Sequence, residues 1–254
     1  MRAYSFPILF SCLFITSVFG AETAAKRVNL SERSFQSAGR TIQVEHFESA
    51  EGGKHPRILV LHGAGGLIFD GPEMRRVARS LAEHGDSVDL VHYFNRTGTV
   101  FARDAAMQEH FEEWLDTVRT AITWAAADSR SPVGIYGYSL GAFLAVAAAS
   151  DNPRVVAVVE HAGGVWNNKL ARIGAMPPLL VVHGRADQRV PFGKYAEPLL
   201  ARLRNRSPRV ETRIFANEGH GFSPAAMVEV KQRAEQFFRA HRSREGSPAP
   251  RVAG

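Results

Sequence analysis

Apolar residues fall along this chain in two kinds of pattern. Residues 57–61, 133–136, 154–160 and 178–182 are short, nearly unbroken apolar runs, as parallel strands buried on both faces require. Elsewhere the apolar positions recur every three or four residues. Met74, Val77, Ala78 and Leu81 follow Gly71-Pro72, and Phe111, Leu115, Val118, Ile122 and Ala125 mark a long helix over 104–127. Ser223-Pro224 opens a closing helix that turns Met227, Val230, Ala234, Phe237 and Phe238 inward. Residues 41–47 alternate, with Ile42, Val44 and His46 on one side, as an edge strand would; 89–94 and 210–215 read as further strands. Strands and helices therefore alternate, which predicts an α/β fold: a doubly wound, mostly parallel sheet with helices on both faces.

The two ends stand outside this pattern. Met1-Arg2 followed by an apolar stretch over 6–19 and then Val18-Phe19-Gly20 predicts a secretory signal peptide over 1–20, cut after Gly20. A lipoprotein reading around Cys12 is weaker, because bulky Phe10 adjoins the cut and the apolar segment runs on past it. Residues 21–242 then form one α/β domain and 243–254, without apolar period, a flexible tail. The sole cysteine leaves with the signal, so the mature chain has no disulfide and no thiolate nucleophile. A secreted or periplasmic location follows, and no later stretch is long and apolar enough to span a bilayer.

Composition is that of an ordinary globular protein, 45% hydrophobic and 22% charged, with a net charge of +6. Arg202, Arg204, Arg206, Arg209 and Arg213 cluster, but no aromatic residue interleaves with them and Glu211 sits among them. This reads as a solvated face rather than a nucleic-acid surface.

Candidate chemistry begins where the 133–136 run enters Gly137-Tyr138-Ser139-Leu140-Gly141 and an Ala-, Leu- and Phe-rich run leaves it. Strand, tight turn and helix in that order place Ser139 on a sharp bend, where only residues without bulk fit two places away on either side. The Gly63-Ala64-Gly65 turn after the 57–61 run lacks the spacing of a dinucleotide loop and the lysine of a phosphate loop. It suits the second donor of an oxyanion hole, so the backbone N–H groups of Ala64 and Leu140 are the expected pair.

Ligands of such sheets sit beyond the carboxyl ends of the strands. Ser139, Asp187 and His220 all fall there, in the order serine, acid, histidine. A serine hydroxyl needs a neutral imidazole to take its proton, and the imidazole needs a carboxylate to hold its tautomer. Glu160 also ends a strand and is a rival acid; Asp187 is preferred because Gly184 and Gln188-Arg189-Val190-Pro191 make an open turn around it. His62, His161 and His183 read as wall or turn residues. No histidine pairing suggests a metal, and no cofactor is implied.

Gly137-Tyr138-Ser139-Leu140-Gly141, His183-Gly184-x-x-Asp187-x-x-Val190-Pro191 and Gly219-His220-Gly221-Phe222 together resemble the α/β-hydrolase superfamily, and within it the dienelactone hydrolase-like branch, over about residues 41–241. The resemblance implies an α/β-hydrolase fold acting on carboxylic esters. Dienelactone hydrolases typically carry a cysteine where this chain has Ser139, so serine esterase or peptidase chemistry is implied. Of the family's arginines for a substrate carboxylate, Arg96 is placed after its strand, while the position four beyond the histidine is Pro224. Connections on the ligand side are short, leaving a minimal lid and an open pocket with Phe69, Tyr138, Trp166 and Phe222 as its apolar wall. The reading is a serine hydrolase for a small ester or lactone; a small serine peptidase and a non-catalytic binding protein of the same fold are the alternatives.

Overall fold

A computed structural model describes residues 27–50, 57–129, 132–204, 207 and 209–242; the expected signal peptide and tail lie outside the described residues. The strands are β1 (Val28–Ser37), β2 (Arg40–Ser49), β3 (Arg57–Leu61), β4 (Ser87–Val91), β5 (Val133–Tyr138), β6 (Val155–His161), β7 (Leu179–Gly184) and β8 (Val210–Phe215). They form an eight-stranded sheet in the order β1-β2-β4-β3-β5-β6-β7-β8. β1, β2 and β4 pair antiparallel, and every pair from β4 to β8 is parallel.

The helices are α1 (Gly66–Phe69), α2 (Gly71–Glu83), α3 (Asp104–Ser129), α4 (Leu140–Ala149), α5 (Asn167–Leu170), α6 (Phe192–Leu203) and α7 (Pro224–Ala240). Met74, Val77 and Leu81 of α2 and Val230 and Phe237 of α7 cover one sheet face. Trp114 and Val118 of α3, Leu144 of α4 and Leu199 of α6 cover the other. Each such side chain, fully buried, contributes about 1.5–3 kcal/mol. All five residues of β3 are buried, which accounts for its unbroken apolar run. No helix of the described residues is long and apolar enough to cross a membrane.

Two expectations change. Residues 41–47 do not form an edge: β2 lies between β1 and β4, and β1 is the edge. β1 buries only Phe35 and Ser37 and leaves Leu30 exposed, so no alternation of apolar and polar positions marks it. The strand expected to reach residue 94 ends at Val91, and Tyr93 to Arg96 form a 3-10 turn instead. There the Tyr93 hydroxyl donates to the His62 carbonyl at 2.8 Å and its ring stacks on His62. In the arginine cluster, Arg202 donates to the Ile173 and Ala171 carbonyls and Arg213 pairs with Glu229.

The site is placed by one feature of this topology. The chain lays β4 on one side of β3 and then crosses to lay β5 on the other, which opens a crevice at the carboxyl ends of β3 and β5. Leu61 is in register with Gly137. The glycine turn after β3 and the serine turn after β5 are therefore neighbours.

Candidate active site

Ser139 joins β5 to α4 with φ 52° and ψ −120°, a left-handed backbone conformation that a side chain rarely adopts. Its neighbours make that bend fit. A Cβ on Gly137 would lie 2.4 Å from the Gly141 carbonyl oxygen, and one on Gly141 would lie 2.4 Å from the Leu61 oxygen. Strand and helix thus close to a spacing that only glycine allows. The serine amide donates to the His161 carbonyl at 2.9 Å, which locks the bend to β6.

The three side chains meet. His220 Nε2 is 2.9 Å from Ser139 Oγ, and His220 Nδ1 is 2.8 Å from Asp187 Oδ2. The other Asp187 oxygen accepts the Arg189 and Val190 amides at 2.9 and 2.8 Å. Burial works to raise the Asp187 carboxyl, but the hydrogen bonds from His220 and Val190 outweigh it and hold the group below its usual value. A carboxylate so fixed keeps the proton on Nδ1 and turns Nε2 toward the serine hydroxyl. The Tyr138 hydroxyl donates to the His220 carbonyl at 3.2 Å and steadies the loop that carries it.

Glu160, the rival acid, is not at His220. One of its oxygens accepts the Gly163 amide, the other is buried without a partner, and burial pushes its pKa up to about 8. His62 and His161 are buried and neutral, lowered by burial to about 4 and about 3. His183 is also buried and lowered; its Nε2 donates to the Val190 carbonyl at 2.8 Å and so braces the Asp187 turn.

Facing the serine, Leu140 is the first residue of α4, where amides have no partner within the helix. Ala64 borders the same cavity. Its turn is held from three directions: the Ala102 amide donates to the Ala64 carbonyl at 2.8 Å, Tyr93 to the His62 carbonyl, and the Gly65 amide to Asp70 Oδ2 at 3.0 Å. Asp70 was not anticipated, because an acid at a helix start reads as an ordinary cap. Burial pushes its carboxyl up against the hydrogen bonds from the Gly65 and Gly63 amides.

Ser139 lies between two depressions. One of about 140 Å³ runs along Leu140, Phe143, Trp166, Val190 and Tyr195. The other, about 240 Å³, is bordered by His220, Tyr138, Phe69, Phe101 and Asp70. Arg189 and Ala64 line both, and Arg189 is tied across the rim to Asp104. Of the expected wall residues, Trp166, Tyr138 and Phe69 thus border the serine, and Phe222 lines a third depression that shares Tyr138 and Phe69. Arg96 lines neither cavity beside Ser139. Its guanidinium faces the Ala38 carbonyl at 3.4 Å and Glu113 at 3.8 Å, because the 3-10 turn after β4 directs it toward the β1–β2 hairpin and α3. Arg189, two residues from Asp187, is the arginine that reaches the site.

Residues 42–242 match the sequence profile of the dienelactone hydrolase family. No curated protein sequence matches this chain. Solved structures of similar fold include a dienelactone hydrolase from Anabaena variabilis, 21% identical over 85% of this chain and 99% of that one, with TM-score 0.65. A dienelactone hydrolase-like promiscuous phosphotriesterase from metagenomic libraries is 16% identical over 85% and 99%, with TM-score 0.69. A cold-adapted esterase from an Arctic intertidal metagenomic library is 18% identical over 83% and 94%, with TM-score 0.67. At these identities the likeness to solved structures is one of fold.

Proposed function

The chain belongs to the dienelactone hydrolase family and is a hydrolase, and from that premise we propose that it cleaves a carboxylic ester or lactone through an acyl-enzyme on Ser139. The observation that carries the reading is the position of His220, within hydrogen-bond distance of Ser139 Oγ on one side and Asp187 on the other. His220 Nε2 takes the hydroxyl proton as Oγ attacks the carbonyl carbon. The negative charge that develops on the carbonyl oxygen is met by the amides of Leu140 and Ala64, each such donor supplying on the order of 3 kcal/mol in the transition state. The intermediate collapses, the C–O bond to the alcohol breaks, and Nε2–H gives its proton to the departing oxygen. Water then enters, loses a proton to the same nitrogen and releases the acid, which restores the Ser139 hydroxyl.

The cavities on either side of the serine are small and open to solvent, which favours small or exposed substrates over buried lipid chains. Residues 1–20 are proposed as an export signal, and a mature protein beginning at Ala21 by mass spectrometry would bear on that directly. The hydrolase mechanism is tested with a fluorophosphonate probe on the purified protein beside Ser139→Ala and His220→Ala. Labelling of the wild type, absent in Ser139→Ala and sharply reduced in His220→Ala, is expected. A folded wild type that takes no label would end both the esterase and the peptidase readings and leave a binding protein.

A further inference from the structure

The depression that His220 borders shares Phe69, Asp70 and Tyr138 with a neighbouring one of about 220 Å³, which Phe222 and Met227 also line. Two polar groups facing this space have unmet hydrogen bonds. His161 is 1% exposed; its Nδ1 meets the Tyr136 hydroxyl at 2.8 Å, and its Nε2 has no partner. Glu73 gives Oε2 to Arg76, while its Oε1 is buried and unpartnered. Leaving a buried polar atom without a partner is unfavourable, so two of them around one cavity mark a place where a ligand supplies the missing bonds.

The chemistry of that ligand follows from the groups present. Glu73 and Asp70 are carboxyls on the same wall, one turn apart, and a carboxylate oxygen only accepts. The rings of Phe69, Tyr138 and Phe222 complete a lining that suits a cation carrying an N–H. The half of the substrate is also determined. His220 delivers its proton to the departing oxygen, so the alcohol lies in the depression His220 borders and the acyl group in the one along Leu140 and Trp166.

We propose that the space between Asp70, Glu73 and His161 is a subsite for a protonated amine on the alcohol half of the substrate, so that the preferred substrates are esters of amino alcohols. The proposal rests on the ester hydrolase reading above. It also separates that reading from an aminopeptidase, whose substrate would place its free amino terminus on the acyl side, away from these acids.

The test compares dimethylaminopropyl acetate, protonated at neutral pH and unable to take the acyl group onto its nitrogen, with its uncharged isostere isohexyl acetate. Hydrolysis is followed by pH-stat, and each kcat/KM is divided by that ester's hydroxide-catalysed rate. The wild type is expected to favour the amine by about tenfold or more, the contribution of one hydrogen bond to a charged group. The ratio is expected to fall to about one in Glu73→Gln and to invert in Glu73→Lys. A wild-type ratio of one or less, with isohexyl acetate turned over, overturns the subsite and leaves the hydrolase standing. If neither ester is hydrolysed, the imidazole nitrogen spectrum decides: a shift of His161 Nε2 on adding dimethylaminopropanol, absent with isohexanol, supports the subsite, and no shift overturns it.

Discussion

Asp187 reaches His220 across 33 residues of chain, with Oδ2 at 2.8 Å from Nδ1 and with Oδ1 already occupied by the Arg189 and Val190 amides. Both oxygens therefore act only as acceptors. An asparagine there can keep the two amide bonds only by turning its NH2 toward His220, which selects the tautomer with its proton on Nε2 and no base for Ser139. Asp187→Asn is expected to lower kcat by about ten-thousandfold with KM little changed. Steady-state kinetics on a small acetate ester, beside a thermal melt to show that the variant is folded, checks it. A loss of less than tenfold would mean that His220 does not depend on this carboxylate.

Glu160 lies beneath the same site with the opposite character. Its carboxyl is raised from 4.5 to about 8 by burial, so the folded protein holds a proton that the unfolded chain releases above 4.5. Stability from this group is full below pH 4.5, declines as pH rises through the interval, and is lost above about 8. Glu160→Gln removes the ionisation while keeping an oxygen for the Gly163 amide. The variant is expected to become more stable relative to wild type as pH rises from 5 to 8, by on the order of a few kcal/mol. Urea unfolding of both proteins across that range measures it, and parallel curves would place Glu160 in a wetter environment than its 0% exposure indicates.

That Ser139, Asp187 and His220 fall at one end of the sheet was legible in the sequence: Ser139 and Asp187 each follow a strand that announces itself by an apolar run, and glycines flank both Ser139 and His220, whose own strand over 210–215 has no such run. The elements that escaped notice lack such a signature. β1 is an edge hairpin strand with apolar Leu30 on its exposed side and few apolar residues on its buried one, so its period is hidden. The Tyr93 to Arg96 turn carries the residues of a strand, and it leaves the sheet because Tyr93 finds its partner in His62. Arg96 was misplaced with it. Asp70 and Glu73 escaped for another reason: acids at a helix start are expected on grounds of the helix dipole alone, and only the fold shows that Asp70 borders the serine and Glu73 the depression next to it.

The glycines of the serine turn provide a contrast within one loop system. Gly137→Ala would drive a methyl group to 2.4 Å from the Gly141 oxygen, and Gly141→Ala would do the same against Leu61, with backbone on both sides and nothing that can swing away. A Cβ on Gly221, next to His220, meets nothing within 4 Å. Each of the first two changes is expected to cost at least about 1–3 kcal/mol and most of the activity, whereas Gly221→Ala should fold as the wild type does. Chemical denaturation of the three variants tests this, and a wild-type midpoint for Gly141→Ala would contradict the tight elbow.

Trp166 and Phe143 stand between the acyl-side depression of about 140 Å³ and a separate one of about 260 Å³ bounded by Phe111, Leu115 and Ile173. The two rings pack with centroids 5.4 Å apart, and Trp166 also meets Phe111 at 4.7 Å, so the partition is a packed aromatic wall. On the proposed acyl side this wall is expected to leave room for a short chain and to stop a long one. Trp166→Ala removes the larger half of the wall and opens an apolar path into the second space, at a cost in stability of about 3–5 kcal/mol or less, since Trp166 is only partly buried. The wild type is expected to prefer acetate and butyrate over octanoate esters of the same alcohol, and Trp166→Ala to shift that preference toward octanoate. The change should appear as a fall in KM for octanoate with the triad geometry untouched. If Trp166→Ala slows every ester equally, the wall supports the fold without setting acyl length, and the limit on chain length lies instead at the Arg189–Asp104 rim.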